Sequence, residues 1–133
     1  MSIFVDTSVW SLAFRREEPG GPFVAELLRA LDAGEAIFAT GLVVQEILQG
    51  VQGPRQRDQI LERLSSFPLL APDWNDHVNA ADLFNRCRRA GAQIESVDAL
   101  FAQLCVRYDL TMLTADKDFD RMARHGPLKV WKP

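Results

Sequence analysis

The chain has 133 residues and a mass of 15.0 kDa, one domain's worth, and its 47% hydrophobic content supplies material for a real core. A net charge of −3 with 25% charged residues excludes a disordered polyion. The longest uncharged stretch is the ten residues between Glu35 and Glu46, well short of the ~18 that a membrane-spanning helix needs.

Met1-Ser2 runs straight into Ile3-Phe4-Val5-Asp6 with no basic segment ahead of an apolar one, so no signal peptide and a cytoplasmic location are expected. Cys87 and Cys105 form no C-x-x-C pair and read as reduced small hydrophobes. The acidic balance, with a pI near 5.3, bears on partners too. The small basic groups, such as Arg15-Arg16 and Arg121 with Arg124, read as solvated helix faces. If nucleic acid is the substrate, a metal ion must neutralise phosphate where the chemistry happens.

In chain order, Ile3 to Val5 is a short apolar run that predicts a buried strand. Trp10, Leu12 and Phe14 belong to a helix ended by Pro19-Gly20-Gly21-Pro22. Apolar residues at 23, 24, 27, 28 and 31 form a helical stripe closed by Gly34. Ala36 to Ala39 is a second buried strand. Thr40 caps a helix carrying Val43, Val44, Ile47, Leu48 and Val51. Pro54 opens another, with Ile60, Leu61, Leu64 and Phe67 inward. Leu69-Leu70 is a brief strand, and Asp73 or Asn75 starts a long helix to about Ala90, stopped by Gly91. Val97, Leu100, Phe101, Leu104, Cys105 and Tyr108 fall at helical spacing, with Ser96 as the expected N-cap. Met112-Leu113 is a strand, Asp116 to about Arg124 a helix, and Leu128 to Val130 a last strand. Strands separated by helices predict a three-layer α/β domain around a mainly parallel sheet of four to five short strands.

In open α/β sheets, ligands bind beyond the carboxyl ends of the strands. Asp6, Thr7 and Ser8 follow the first strand, Glu46 lies in the helix leaving the second, and Thr114, Asp116 and Asp118 follow the Met112-Leu113 strand. Asp98 stands in the first turn of the most regular helix. Each acid also has an ordinary reading. Asp98 and Asp118 suit a helix dipole, Asp116 suits a cap, and Glu46 suits a solvated face. Asp6 is harder to dismiss, because a carboxylate ending a buried strand needs a partner, a cation or a raised pKa. Clustered carboxylates without His or Cys select hard cations such as Mg²⁺ or Mn²⁺, which suit phosphodiester hydrolysis.

Four segments carry a family resemblance: Ile3-Phe4-Val5-Asp6-Thr7-Ser8-Val9-Trp10, Val44-Gln45-Glu46-Ile47-Leu48, Ser96-Val97-Asp98-Ala99-Leu100-Phe101-Ala102 and Leu113-Thr114-Ala115-Asp116-Lys117-Asp118-Phe119. Together they resemble the PIN-domain family, and within it the VapC-type toxins. Each motif is weak alone, and the four in order are specific. The resemblance implies a single PIN-like α/β/α domain over residues 1–133 and Mg²⁺-dependent endoribonuclease activity, with Mn²⁺ as a substitute. It also implies an RNA substrate, a homodimer and a cognate VapB-type antitoxin. Position by position, Asp6, Glu46, Asp98 and Asp116 match the family's catalytic acids. Asp6, Asp98 and Asp116 are the expected metal ligands, the first two foremost. Ser8, Thr114 and Asp118 take supporting roles. Phe101 departs from the smaller or aliphatic residue commoner there, which bears on packing.

Other chemistries fail on residues. His77 and His125 match no triad position, Asp6-Thr7-Ser8 lacks the second acid of haloacid-dehalogenase-like phosphatases, and no Gly-rich loop follows a strand. Two alternatives stay open: a catalytically weak PIN-like binding domain, and a Mg²⁺-dependent phosphatase of small molecules.

Overall fold

The computed structural model describes residues 1–15 and 20–133. β1 (Ser2–Val5) is central in a five-stranded sheet ordered β3-β2-β1-β4-β5, with β2 at Ala36–Thr40, β3 at Leu69–Leu70, β4 at Thr111–Leu113 and β5 at Lys129–Val130. Every pairing is parallel. Phe4 stands opposite Phe38 on one side and Met112 on the other. Both flanks and both faces of β1 are covered, so a continuous apolar run is what this strand needs. Phe4 and Val5 are wholly buried.

The helices between strands pack on the faces of the sheet, giving the expected three-layer α/β/α arrangement. They are α1 (Thr7–Ala13), α2 (Gly21–Asp32), α3 (Gly41–Gln49), α4 (Pro54–Leu64), α5 (Trp74–Arg89), α6 (Ser96–Arg107) and α7 (Asp118–Ala123). Some of their ends follow local chemistry. Thr40 caps α3 by accepting from the Val43 N–H at 3.1 Å. Asp73 and Asp76 close a reciprocal capping box on α5, each bond 2.9 Å long. Gly91, at φ +84°, supplies the left-handed turn that ends α5.

Several helix bounds are revised: Val51 lies beyond α3, Phe67 lies beyond α4, and Gly21 and Pro22 open α2 instead of serving as a breaker. Ser96 is the first residue of α6 and not its cap; Glu95 stands at the N-cap, and neither makes a side-chain cap bond there. α7 begins at Asp118, because the Asp116 carboxylate accepts from the Asp118 N–H at 2.9 Å and holds residues 116 to 118 in a turn. α1 ends at Ala13, one residue short of Phe14. Of the breaker expected beyond it, Pro19 lies outside the described residues, as does Arg16.

The core runs continuously from the sheet into the helices. Phe101 is buried and tilts against Phe4, with ring centroids 5.4 Å apart, so the family departure at this position is absorbed as an aromatic pair. Trp10 packs between Phe14 and Phe67. An ion pair between exposed Arg107 and buried Asp76 ties the end of α6 to the start of α5. Burial alone would raise the Asp76 pKa. The Asp73 N–H and the Arg107 guanidinium outweigh burial and hold it below the ordinary value.

Candidate metal centre

β1 delivers Asp6 to the carboxyl edge of the sheet, and its N–H donates to the Leu113 carbonyl at 3.0 Å, continuing the β1–β4 pairing. Its buried carboxylate is held by two hydroxyls. Ser8 Oγ donates to Asp6 Oδ2 at 2.8 Å and Thr114 Oγ1 donates to the same atom at 2.9 Å. Each hydroxyl has a single proton, so both are spent on Asp6, and the 3.3 Å approach of Ser8 to Thr114 is a contact between acceptors. Their lone pairs are used as well. Ser8 accepts from the Ala115 N–H and Thr114 from the Asp116 N–H, each at 3.0 Å. The loop after β4 is therefore clamped onto Asp6. Burial raises the Asp6 pKa, and the Ser8 and Thr114 hydrogen bonds offset part of that rise.

Around this clamp the other acids assemble. Carboxylate oxygens of Asp98, Asp116 and Asp118 all lie within 4.8 Å of one another. Asp98, half-buried at the start of α6, has its pKa pushed up to about 7, first by burial and then by the charges of Asp6, Asp116, Glu95 and Glu46. Arg121 pairs with Asp118 at 3.3 Å, but among the described residues no ion pair reaches Asp6, Glu46, Asp98 or Asp116. This is an oxygen-only donor set short of positive charge, which fits a hard divalent cation.

All the acids singled out in the sequence thus contribute to one electrostatic site, with two refinements. Asp118, expected in a supporting role, completes the tightest trio, while Asp6 has one oxygen engaged by two hydroxyls. Glu95 adds to the field on Asp98 and was not anticipated; its place three residues before Asp98 at a helix start was the available signal. Nor was a role for Thr7, whose hydroxyl donates to Glu46 Oε1 at 2.7 Å.

A match to the PIN domain spans residues 3–125. The chain belongs to the PIN-domain family. It is similar to a VapC ribonuclease of Mycobacterium bovis and to ribonuclease VapC11 of Mycobacterium tuberculosis, each 32% identical over 126 residues covering 92% of both chains. The PIN fold of this chain also resembles FitAcB from Neisseria gonorrhoeae, with a TM-score of 0.77 and 20% identity over 100% of this chain and 98% of that one. VapBC2 from Rickettsia felis, solved with a promoter DNA fragment, gives a TM-score of 0.76 and 17% identity over 99% and 100%. At such identities the two structures speak to the PIN fold alone.

Proposed function

We propose that this PIN domain is the toxin of a VapBC-type toxin–antitoxin pair and a Mg²⁺-dependent endoribonuclease. The observation that carries the reading is the convergence of Asp98, Asp116 and Asp118, whose carboxylate oxygens lie within 4.8 Å of one another, in a chain 32% identical to named ribonucleases. Such a cluster calls for a counter-charge, and a phosphodiester bound beside a divalent cation supplies the matching substrate.

Asp98, Asp116 and Asp118, with Asp6 behind them, would hold the cation. When bound, Mg²⁺ polarises the scissile phosphate and stabilises charge on the leaving oxygen. The protein's own part is positional. Ser8 and Thr114 orient Asp6, and their hydrogen bonds favour its charged form against the effect of burial. Glu46, on an exposed part of α3, is the carboxylate left to take a proton from the attacking water.

The partners follow the same reading. A VapB-type antitoxin is supported by fold relatives solved as VapBC assemblies. A homodimer is supported by the exposed apolar side chains Leu69, Trp74 and Val78, the tryptophan 82% accessible. None of the described helices is long and apolar enough to cross a membrane.

The deciding experiment is RNA cleavage by the pure protein freed of antitoxin. Mg²⁺ or Mn²⁺ should support cleavage, EDTA should abolish it, and Zn²⁺ should not be required. Cleavage that survives complete chelation overturns the metal mechanism. Absence of cleavage by folded, Mg²⁺-loaded protein favours a binding-only domain.

A further inference from the structure

We infer that Thr7 is a positioning residue for Glu46, its hydroxyl holding one carboxylate oxygen so that the other stays available to the reaction. The inference rests on the ribonuclease reading above and adds a residue to it. Glu46 has three side-chain torsions, sits on an exposed stretch of α3 and forms no ion pair among the described residues. An exposed side chain of this length has rotamers that swing it into solvent, away from the acidic rim. Thr7 opposes that drift. Its Oγ1 donates to Glu46 Oε1 at 2.7 Å across 39 positions of sequence, a short charge-assisted bond.

The anchor is stiff. Thr7 is β-branched and half-buried, it opens α1, and the next two turn positions that bond back to the Asp6 carbonyl are the buried Val9 and Trp10. Its neighbour Ser8 gives its own proton to Asp6 Oδ2 at 2.8 Å. Two adjacent hydroxyls thus serve two carboxylates delivered by different parts of the chain. The Thr7–Glu46 bond is solvent-accessible and adds little to stability, so its use is orientation.

The test compares Thr7→Val, Thr7→Ser, Glu46→Ala and the Thr7→Val/Glu46→Ala double variant. RNA cleavage is measured at saturating Mg²⁺, and the placement of the Glu46 side chain is read separately from crystal structures of the parent, Thr7→Val and Thr7→Ser. Thr7→Val keeps the shape and loses the proton donor. It should lower kcat about tenfold with KM for RNA unchanged, and release the Glu46 side chain from its place beside residue 7. Thr7→Ser should recover both, and Thr7→Val should cost nothing further once Glu46 is alanine. A Thr7→Val enzyme with parental kcat, or a full additional loss in the Glu46→Ala background, overturns the inference. If the parent cleaves no RNA, the ribonuclease reading falls by itself. The placement of Glu46 then decides Thr7: a side chain displaced in Thr7→Val and restored in Thr7→Ser upholds the role, and an unmoved side chain overturns it.

Discussion

Thr114 donates to Asp6 Oδ2 at 2.9 Å, joining the end of β4 to the end of β1 across 108 positions of sequence. The same hydroxyl accepts the Asp116 N–H at 3.0 Å, so one buried oxygen orders both a carboxylate and the loop that carries the next one.

Thr114→Val tests that role. The substitution preserves volume, removes the donor to Asp6 and leaves the Asp116 N–H without its acceptor. The protein should lose about 1–3 kcal/mol of stability, with a lower melting temperature in EDTA and weaker Mg²⁺ binding. A variant with unchanged melting and unchanged Mg²⁺ affinity would remove Thr114 from the site.

Asp98→Asn separates charge from packing. The folded pKa of about 7 lies above the ordinary 3.8, so the protonated form is favoured in the fold. The associated stability is fully present below pH ~4 and is lost as pH rises through ~7. In EDTA the variant should therefore outlast the parent by about 1 kcal/mol at pH 8, after allowance for partial exposure, with the gap closing toward pH 4. It should not cleave RNA, and Mg²⁺ should stabilise the parent more than the variant. Thermal melts across pH, with and without Mg²⁺, read both signs. A variant that melts below the parent in EDTA and still cuts RNA would return Asp98 to a helix-dipole role.

Asp76 should behave in the opposite sense. Its folded pKa is lowered, so its contribution is present above pH ~4 and is lost as pH falls through the folded pKa. Asp76→Ala leaves exposed Arg107 without its closest carboxylate and breaks the α5 capping box, a loss of about 1–2 kcal/mol at neutral pH. Denaturant unfolding at pH 7 and pH 3 should show that the difference between parent and variant shrinks at the lower pH. A constant difference would assign the loss to packing.

Arg15→Ala probes substrate contact away from the rim. Arg15 and Arg63 line one groove between the end of α1 and α4, together with Gln56 and Gln59. If the groove meets RNA phosphates, removing one cation should weaken RNA binding and reduce the salt slope by about one. An unchanged slope would make Arg15 ordinary solvated surface. Arg16, its partner in the sequence reading, lies outside the described residues.

Most of the architecture was legible in the chain because its signals are local. Ile3 to Val5 and Met112-Leu113 are too short and too apolar for anything but buried strands, and the pattern from Val97 to Tyr108 admits only a helix. Asp73 with Asp76, Thr40 and Gly91 mark their helix ends through bonds and torsions made within a few residues. The acids were legible as types and as positions near strand ends. Their division of labour was not. Whether Asp6 or Asp118 joins Asp98 and Asp116 in the tightest trio depends on where the loop after β4 lies, and that loop is set by Ser8 and Thr114. The Ser96 cap failed for a related reason. A serine before an apolar helical stripe satisfies the local rule, yet the helix begins one residue earlier and Glu95 occupies the cap. Thr7 and Glu46 meet because α1 packs beside α3. No periodicity or propensity within either helix encodes a bond between residues that far apart, since such contacts exist only after the sheet has ordered its strands.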